Sequence, residues 1–94
     1  MGKKLLIVGA SGHGKVVSDI AKLNGYDNII FLDDDVSRKE CSPYLVAGTS
    51  KLIMDDKYLD WDVIIAIGNA VFREKIAKSV KPKERLVTLI HPSA

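Results

Sequence analysis

Cysteine is almost missing from this chain. Cys41 is the only one in 94 residues, so no intramolecular disulfide can form, and a reducing, cytoplasmic setting is the expectation. Long apolar runs are missing as well. Near the amino terminus the run is only LLIV at residues 5–8, too short for the core of a signal peptide. No stretch approaches the roughly 20 apolar residues that span a bilayer, so no membrane partner is expected. Charge of one sign is lacking too. Fourteen Lys and Arg against twelve Asp and Glu leave a net charge of +2, too little to suggest nucleic acid as a partner. The one basic concentration is Arg73, Lys75, Lys78, Lys81, Lys83 and Arg85, interrupted by Glu74 and Glu84, and it reads as a solvated helix end. There are two histidines and no cysteine–histidine cluster, so no metal is expected. No Tyr-x-x-x-Lys follows Tyr26, Tyr44 or Tyr58, and no Gly-x-Ser-x-Gly occurs, which removes a short-chain dehydrogenase pair and a serine-hydrolase elbow. Repeats and low-complexity segments are absent.

What is present is an ordinary globular mixture, 47% apolar and 28% charged, in a chain long enough for one domain that buries roughly 60–70% of its unfolded surface. Residues 4–8 read as a buried parallel strand stopped by Gly9. A helix is expected over about 13–24, with Val16, Val17, Ile20, Ala21 and Leu23 on its core face and Asn24-Gly25 as its stop. NIIFL at 28–32 reads as a second strand running into Asp33-Asp34-Asp35, and 36–44 as loop. A short strand at 44–48 leads to Thr49 or Ser50, either of which could cap a brief helix over about 51–57. DVIIAI at 62–67 is the next strand, ended by Gly68. Asn69 is placed to cap a helix over about 70–80, with Phe72, Ile76 and Val80 in one stripe and Pro82 closing it. RLVTLI at 85–90 reads as the last strand. Strands alternating with helices predict an α/β fold, a small Rossmann-like parallel sheet with flanking helices. In such sheets ligands bind beyond the carboxyl ends of the strands, so the segments after residues 8, 32 and 67 should meet in one crevice.

The stretch GASGHGKVV at 9–17 carries the most chemistry. Gly9 through Lys15 nearly spell a P-loop, but Val16 stands where a hydroxyl must reach magnesium. The dinucleotide fingerprint has its glycines in another order. The physics of either still applies: Gly9 permits a tight exit from the strand, and Gly12 and Gly14 let a phosphate approach the backbone at a helix amino terminus. Asp33, 19 residues past Gly14, lies where an acid would meet a ribose. His13 and Lys15 are each readable as ligand contacts or as structural and solvent-facing residues. His91 reads as a surface residue at a chain exit.

These residues resemble a known family. VGASGHGKVVSDIAKLNGYDNIIFLDDD, VAGTSKLI, VIIAIGNAVFREKIA and TLIHPSA, in that order, look like the amino-terminal domain of sugar acyltransferases related to sialic acid O-acetyltransferases and UDP-N-acetylbacillosamine N-acetyltransferases. The resemblance covers essentially all of residues 1–94. It implies a Rossmann-like domain that holds a UDP-sugar or other sugar, joined in the family to a left-handed β-helix of hexapeptide repeats. That second part binds acetyl-CoA, forms a homotrimer and supplies a histidine base. No hexapeptide repeat occurs in residues 1–94, so the expectation is an isolated substrate-binding domain with neither the catalytic base nor the acetyl-CoA site; His91 is not that base. By position, the resemblance implies Ser11, Gly12, His13, Gly14 and Lys15 around phosphates or sugar. It implies Asp33, Asp34 and Asp35 near the nucleoside, and Gly68, Asn69 and Arg73 on the neighbouring loop. The alternative is a non-catalytic regulatory module that binds a nucleotide or CoA.

Overall fold

A computed structural model describes residues 3–35, 37–41 and 44–87. Among the described residues five strands form one sheet: β1 (Lys3–Val8), β2 (Tyr26–Leu32), β3 (Glu40–Cys41), β4 (Tyr44–Gly48) and β5 (Asp62–Ile65). Their order is β3-β4-β2-β1-β5. The last four in that order are parallel, and β3 pairs antiparallel with β4 at the edge. Two helices, α1 (Gly12–Leu23) and α2 (Ala70–Ser79), complete the α/β architecture.

β1 is apolar over four consecutive residues because both of its faces are covered, as parallel strands require. Leu5 and Ile7 face a cluster with Ala21, Phe31 and Val17 of α1 and β2. Leu6 and Val8 face the other way, into a cluster with Val63, Ile76 and Val80. α1 therefore covers one face and α2 the other. Ile53 and Tyr58, from two 3-10 turns at Ser50–Met54 and Asp56–Tyr58, extend the second cover. Thr49 caps the first turn and Asp55 the second. The expected single helix over 51–57 is thus two tighter turns, each started by its own side-chain acceptor.

α1 is rotated from the expected orientation. Its buried residues are Gly14, Val17, Ser18 and Ala21, whereas Val16 and Leu23 are more than half exposed. The cause is Gly14. A β-carbon there would collide with the Gly9 carbonyl oxygen and stand 3.0 Å from the Phe31 ring, so the helix meets the sheet along its glycine edge. Ser18 follows onto that edge one turn later and satisfies its hydroxyl by donating to the Lys15 carbonyl oxygen at 2.6 Å. Gly25 ends the helix at φ +91°, as the sequence signal predicts.

α2 keeps only part of its expected stripe. Ile76 and Val80 are buried, but Phe72 is 58% exposed, because the first turn of α2 projects past the end of β5. The loop expected at 36–44 contains β3. The expected strand at 85–90 begins instead with a 3-10 turn over Lys83–Arg85. Leu86 then makes one parallel bridge to Val63, and residues 88–90, like His91, lie outside the described residues. Among the described residues no helix is long and apolar enough to cross a membrane.

Arg85 departs furthest from its expected place. It is 5% exposed, not on a solvated helix end. Its guanidinium donates to the carbonyl oxygens of Ile53 and Tyr58 at 2.8 Å, Trp61 at 2.9 Å and Lys81 at 3.0 Å. Burial pulls its pKa below the ordinary arginine value, with the Asp60 and Asp62 carboxylates pulling the other way, and the carbonyl dipoles hold the cation directly.

Candidate functional site

The order of strands reverses at β1, with β2 on one side and β5 on the other. Open α/β sheets bind ligands at such a point, outside the carboxyl ends of the strands. Backbone bonds hold the three strand exits level: Gly9 N–H donates to Leu32 O at 2.8 Å, and Ala66 N–H donates to Val8 O at 2.8 Å. Between them lies a crevice of about 340 Å³. One wall is apolar, made by Val8, Ala66, Ile67, Phe72 and Ile76; the other carries Asp33, Asp34, Asp35 and Arg38, with Gly9, Ser11 and Gly68 at the turns.

Gly9 and Gly68 line the crevice and Gly12 and Gly14 lie in the first turn of α1 beside it, with different duties. Gly9 has φ +117°, and a β-carbon there would stand 2.7 Å from the Ala66 carbonyl oxygen, so no other residue fits this exit. Gly14 is needed for helix-to-strand packing, as described above. A β-carbon on Gly12 or Gly68 would meet nothing within 4 Å. Neither Gly12 nor Gly14 has a positive φ. Gly12 opens α1, where the first backbone N–H groups have no partner inside the helix and the helix dipole favours an anion.

The acidic triplet is engaged in the fold. Asp33, 13% exposed at its side chain, accepts from Ala10 N–H through Oδ2 and from Asp35 N–H through Oδ1, both at 2.8 Å. It therefore ties the glycine loop to the exit of β2. Asp34 accepts from Ser50 N–H at 2.8 Å and from its hydroxyl at 3.0 Å. Asp35 accepts from Ser37 N–H at 3.0 Å and from its hydroxyl at 2.6 Å. Those bonds hold the Asp35 carboxyl below its ordinary pKa, with Arg38 adding a smaller pull. Each carboxylate oxygen has two lone pairs, so acceptor capacity is left on the wall. Arg38 spans the group, 3.5 Å from Asp33 and 3.6 Å from Asp35. Sequence reasoning passed it over; its i,i+3 spacing from Asp35 was the available signal.

The structure divides the remaining candidates. Ser11 and Gly68 border the crevice. Asn69 caps α2, its side-chain oxygen accepting from Val71 N–H at 3.0 Å and Phe72 N–H at 3.1 Å. His13 and Arg73 line a different, shallower depression of about 690 Å³ beyond β5, with Val17, Ile64 and Val87. Arg73 also reaches back to the Ile67 carbonyl oxygen at 3.5 Å. Lys15 lies on the exposed side of the first turn of α1 and borders neither hollow. Among the described residues no cluster of three His, Cys, Asp or Glu could hold a metal.

A parallel sheet with a glycine turn, an anion-favouring helix start and an acid at the next strand exit defines the Rossmann-like class. Residues 4–80 match the family described as PglD N-terminal domain, and the chain belongs to that family. It is 33% identical to the UDP-N-acetylbacillosamine N-acetyltransferase of Bacillus subtilis (strain 168), over 98% of this chain and 44% of that protein. Its fold is similar to the acetyltransferase domain of PglB from Neisseria gonorrhoeae FA1090, with a TM-score of 0.81 and 34% identity over 96% of this chain and 45% of that one. The same domain in complex with acetyl coenzyme A gives 0.76 and 34% over 98% and 45%. The chain thus spans less than half the length of these relatives.

Proposed function

We propose that this chain is the nucleotide-sugar-binding domain of an acetyl-CoA-dependent sugar acetyltransferase. The observation that carries the reading is the crevice at the strand-order reversal, with an open glycine and a helix start on one side and acceptor-bearing carboxylates on the other. The named relatives supply the chemistry, a UDP-sugar N-acetyltransferase and an acetyltransferase that holds acetyl-CoA.

In this reading the diphosphate lies over Gly12 at the amino end of α1, and the nucleoside enters the crevice. Ribose hydroxyls donate to the spare lone pairs of Asp33 and its neighbours. The sugar emerges toward the first turns of α1 and α2, near His13, Lys15 and Asn69, and presents its hydroxyl or amine. The domain's share in the reaction is positioning, which lowers the barrier by fixing the geometry of attack. Acetyl-CoA is a poor fit for these residues, because its ribose phosphate would face three carboxylates in a hollow at the small end of ligand sites. We assign it, with the proton-accepting base and the trimer contact, to a β-helix beyond residue 94, in a cytoplasmic enzyme.

Calorimetric titration tests the reading. UDP and UDP-sugars should bind the chain, with CMP-sugar, ATP and NAD weaker. Equal affinity for all of them, or no heat with any, would contradict it.

A further inference from the structure

Among the described residues of the crevice wall, Phe72 is the one large apolar side chain left more than half exposed. It shares a stripe with Ile76 and Val80, which are buried at 8% and 0% exposure, yet it stands 58% exposed. It is not on a floppy segment: the Asn69 cap fixes the first turn of α2 by accepting from Phe72 N–H itself. The ring borders the crevice next to Gly68, where a β-carbon would meet nothing within 4 Å. Across the hollow stand the carboxylates of Asp33, Asp34 and Asp35 with Arg38.

We propose that Phe72 is the stacking platform for the nucleobase of the bound nucleotide, and so a determinant of nucleotide affinity at the site. The inference rests on the nucleotide-binding reading above. Three carboxylates against one guanidinium leave that wall net negative, which turns a diphosphate toward α1 and leaves the crevice for the uncharged end of the ligand. A planar base presents an apolar face for the ring and edge N–H donors for carboxylate oxygens, and both complements are present on opposing walls. Every base has a π-face, so stacking supplies affinity, and the uracil N3–H is the edge donor that meets the acidic wall. A ring held rigidly before binding loses little freedom on stacking.

The test titrates UDP and inorganic pyrophosphate into the wild-type chain and into the Phe72→Ala and Phe72→Tyr variants. Loss of a base-stacking ring should weaken UDP binding by about tenfold or more in Phe72→Ala, leave pyrophosphate within about twofold, and be restored in Phe72→Tyr to within about threefold. Nuclear Overhauser contacts between the Phe72 ring and uracil H5 and H6 should appear in the wild-type complex. Unchanged UDP affinity in Phe72→Ala, equal losses for UDP and pyrophosphate, or a UDP complex lacking those contacts would overturn the proposal and leave nucleotide binding standing. Failure of UDP to bind the wild-type chain would remove the reading beneath it as well.

Discussion

Two regions of this molecule use charge to hold loops, and they differ in what they leave over. At the carboxyl end of the sheet, Asp33, Asp34 and Asp35 each bracket backbone N–H groups, yet their oxygens keep lone pairs and border an open crevice. On the face covered by α2, the Arg85 guanidinium does the inverse, clamping four carbonyl oxygens from a fully enclosed position. Arg85 has five N–H donors, and the fold uses them up, four on those carbonyls and the fifth on Met54 Sδ at 3.5 Å. The first arrangement can exchange or add a partner when a ligand arrives; the second cannot. Spare hydrogen-bonding capacity beside a hollow, more than charge itself, separates a binding wall from a structural clamp.

Breaking the clamp should have the largest effect. Arg85→Ala would strand the buried carbonyls of Ile53 and Tyr58 and the part-buried ones of Trp61 and Lys81 and lower stability by about 4 kcal/mol, since each unsatisfied buried group costs about 1–3 kcal/mol. Denaturant unfolding reads this directly. Arg85→Lys should recover only part of it, because one ammonium cannot span the same four acceptors.

The glycine loop gives the next contrast within a single turn. Gly14→Ala forces a β-carbon into the Gly9 carbonyl and should cost about 3 kcal/mol through overpacking. Gly12→Ala meets open space and should change stability by less than about 0.5 kcal/mol. It should nevertheless weaken nucleotide binding where the phosphate approaches the backbone. Thermal melts and a UDP titration on the two variants separate these outcomes. Nucleotide affinity unchanged in Gly12→Ala would place the phosphate elsewhere.

Asp33→Ala removes the acceptor for Ala10 and Asp35 N–H groups and should cost about 1–2 kcal/mol, while loosening the loop that Gly12 begins. The smallest effect belongs to Ser37→Ala. The Ser37 bonds lower the Asp35 pKa from its ordinary 3.8. The variant should therefore raise it toward that value, measurable by carboxyl NMR titration. The sign follows from linkage: a depressed carboxylate pKa contributes stability above its unfolded value and loses it as pH falls through the folded value. The wild-type turn therefore weakens only in acid below the ordinary carboxylate range, and the variant has less to lose there.

Much of this was legible in residues 1–94. The alternation of apolar strands with amphipathic segments gave the parallel sheet, and the glycine turn and Asn69 cap followed from local backbone chemistry. Long-range packing was not legible. Nothing local in GHGKVVSDI says that Gly14 abuts Gly9 and brings Ser18 inward in place of Val16. Arg85 looked like one more residue of a lysine-rich surface because three of its four carbonyl acceptors come from segments more than 20 residues away. Phe72 fitted the core stripe of α2, and only the place where β5 stops shows that its turn overhangs the crevice. The family's positional candidates divide for the same reason: His13 and Arg73 are close in sequence to the crevice residues but face another hollow.

Amide NMR mapping of UDP-sugar binding tests the central claim most directly. The expected shifts are confined to residues 9–15, 33–35 and 66–72, saturating together, with the Arg85 clamp at 53, 58, 61 and 81 silent. Shifts confined to the depression around His13, Ile64 and Val87, or silence at the crevice while a nucleotide is demonstrably bound, would contradict it.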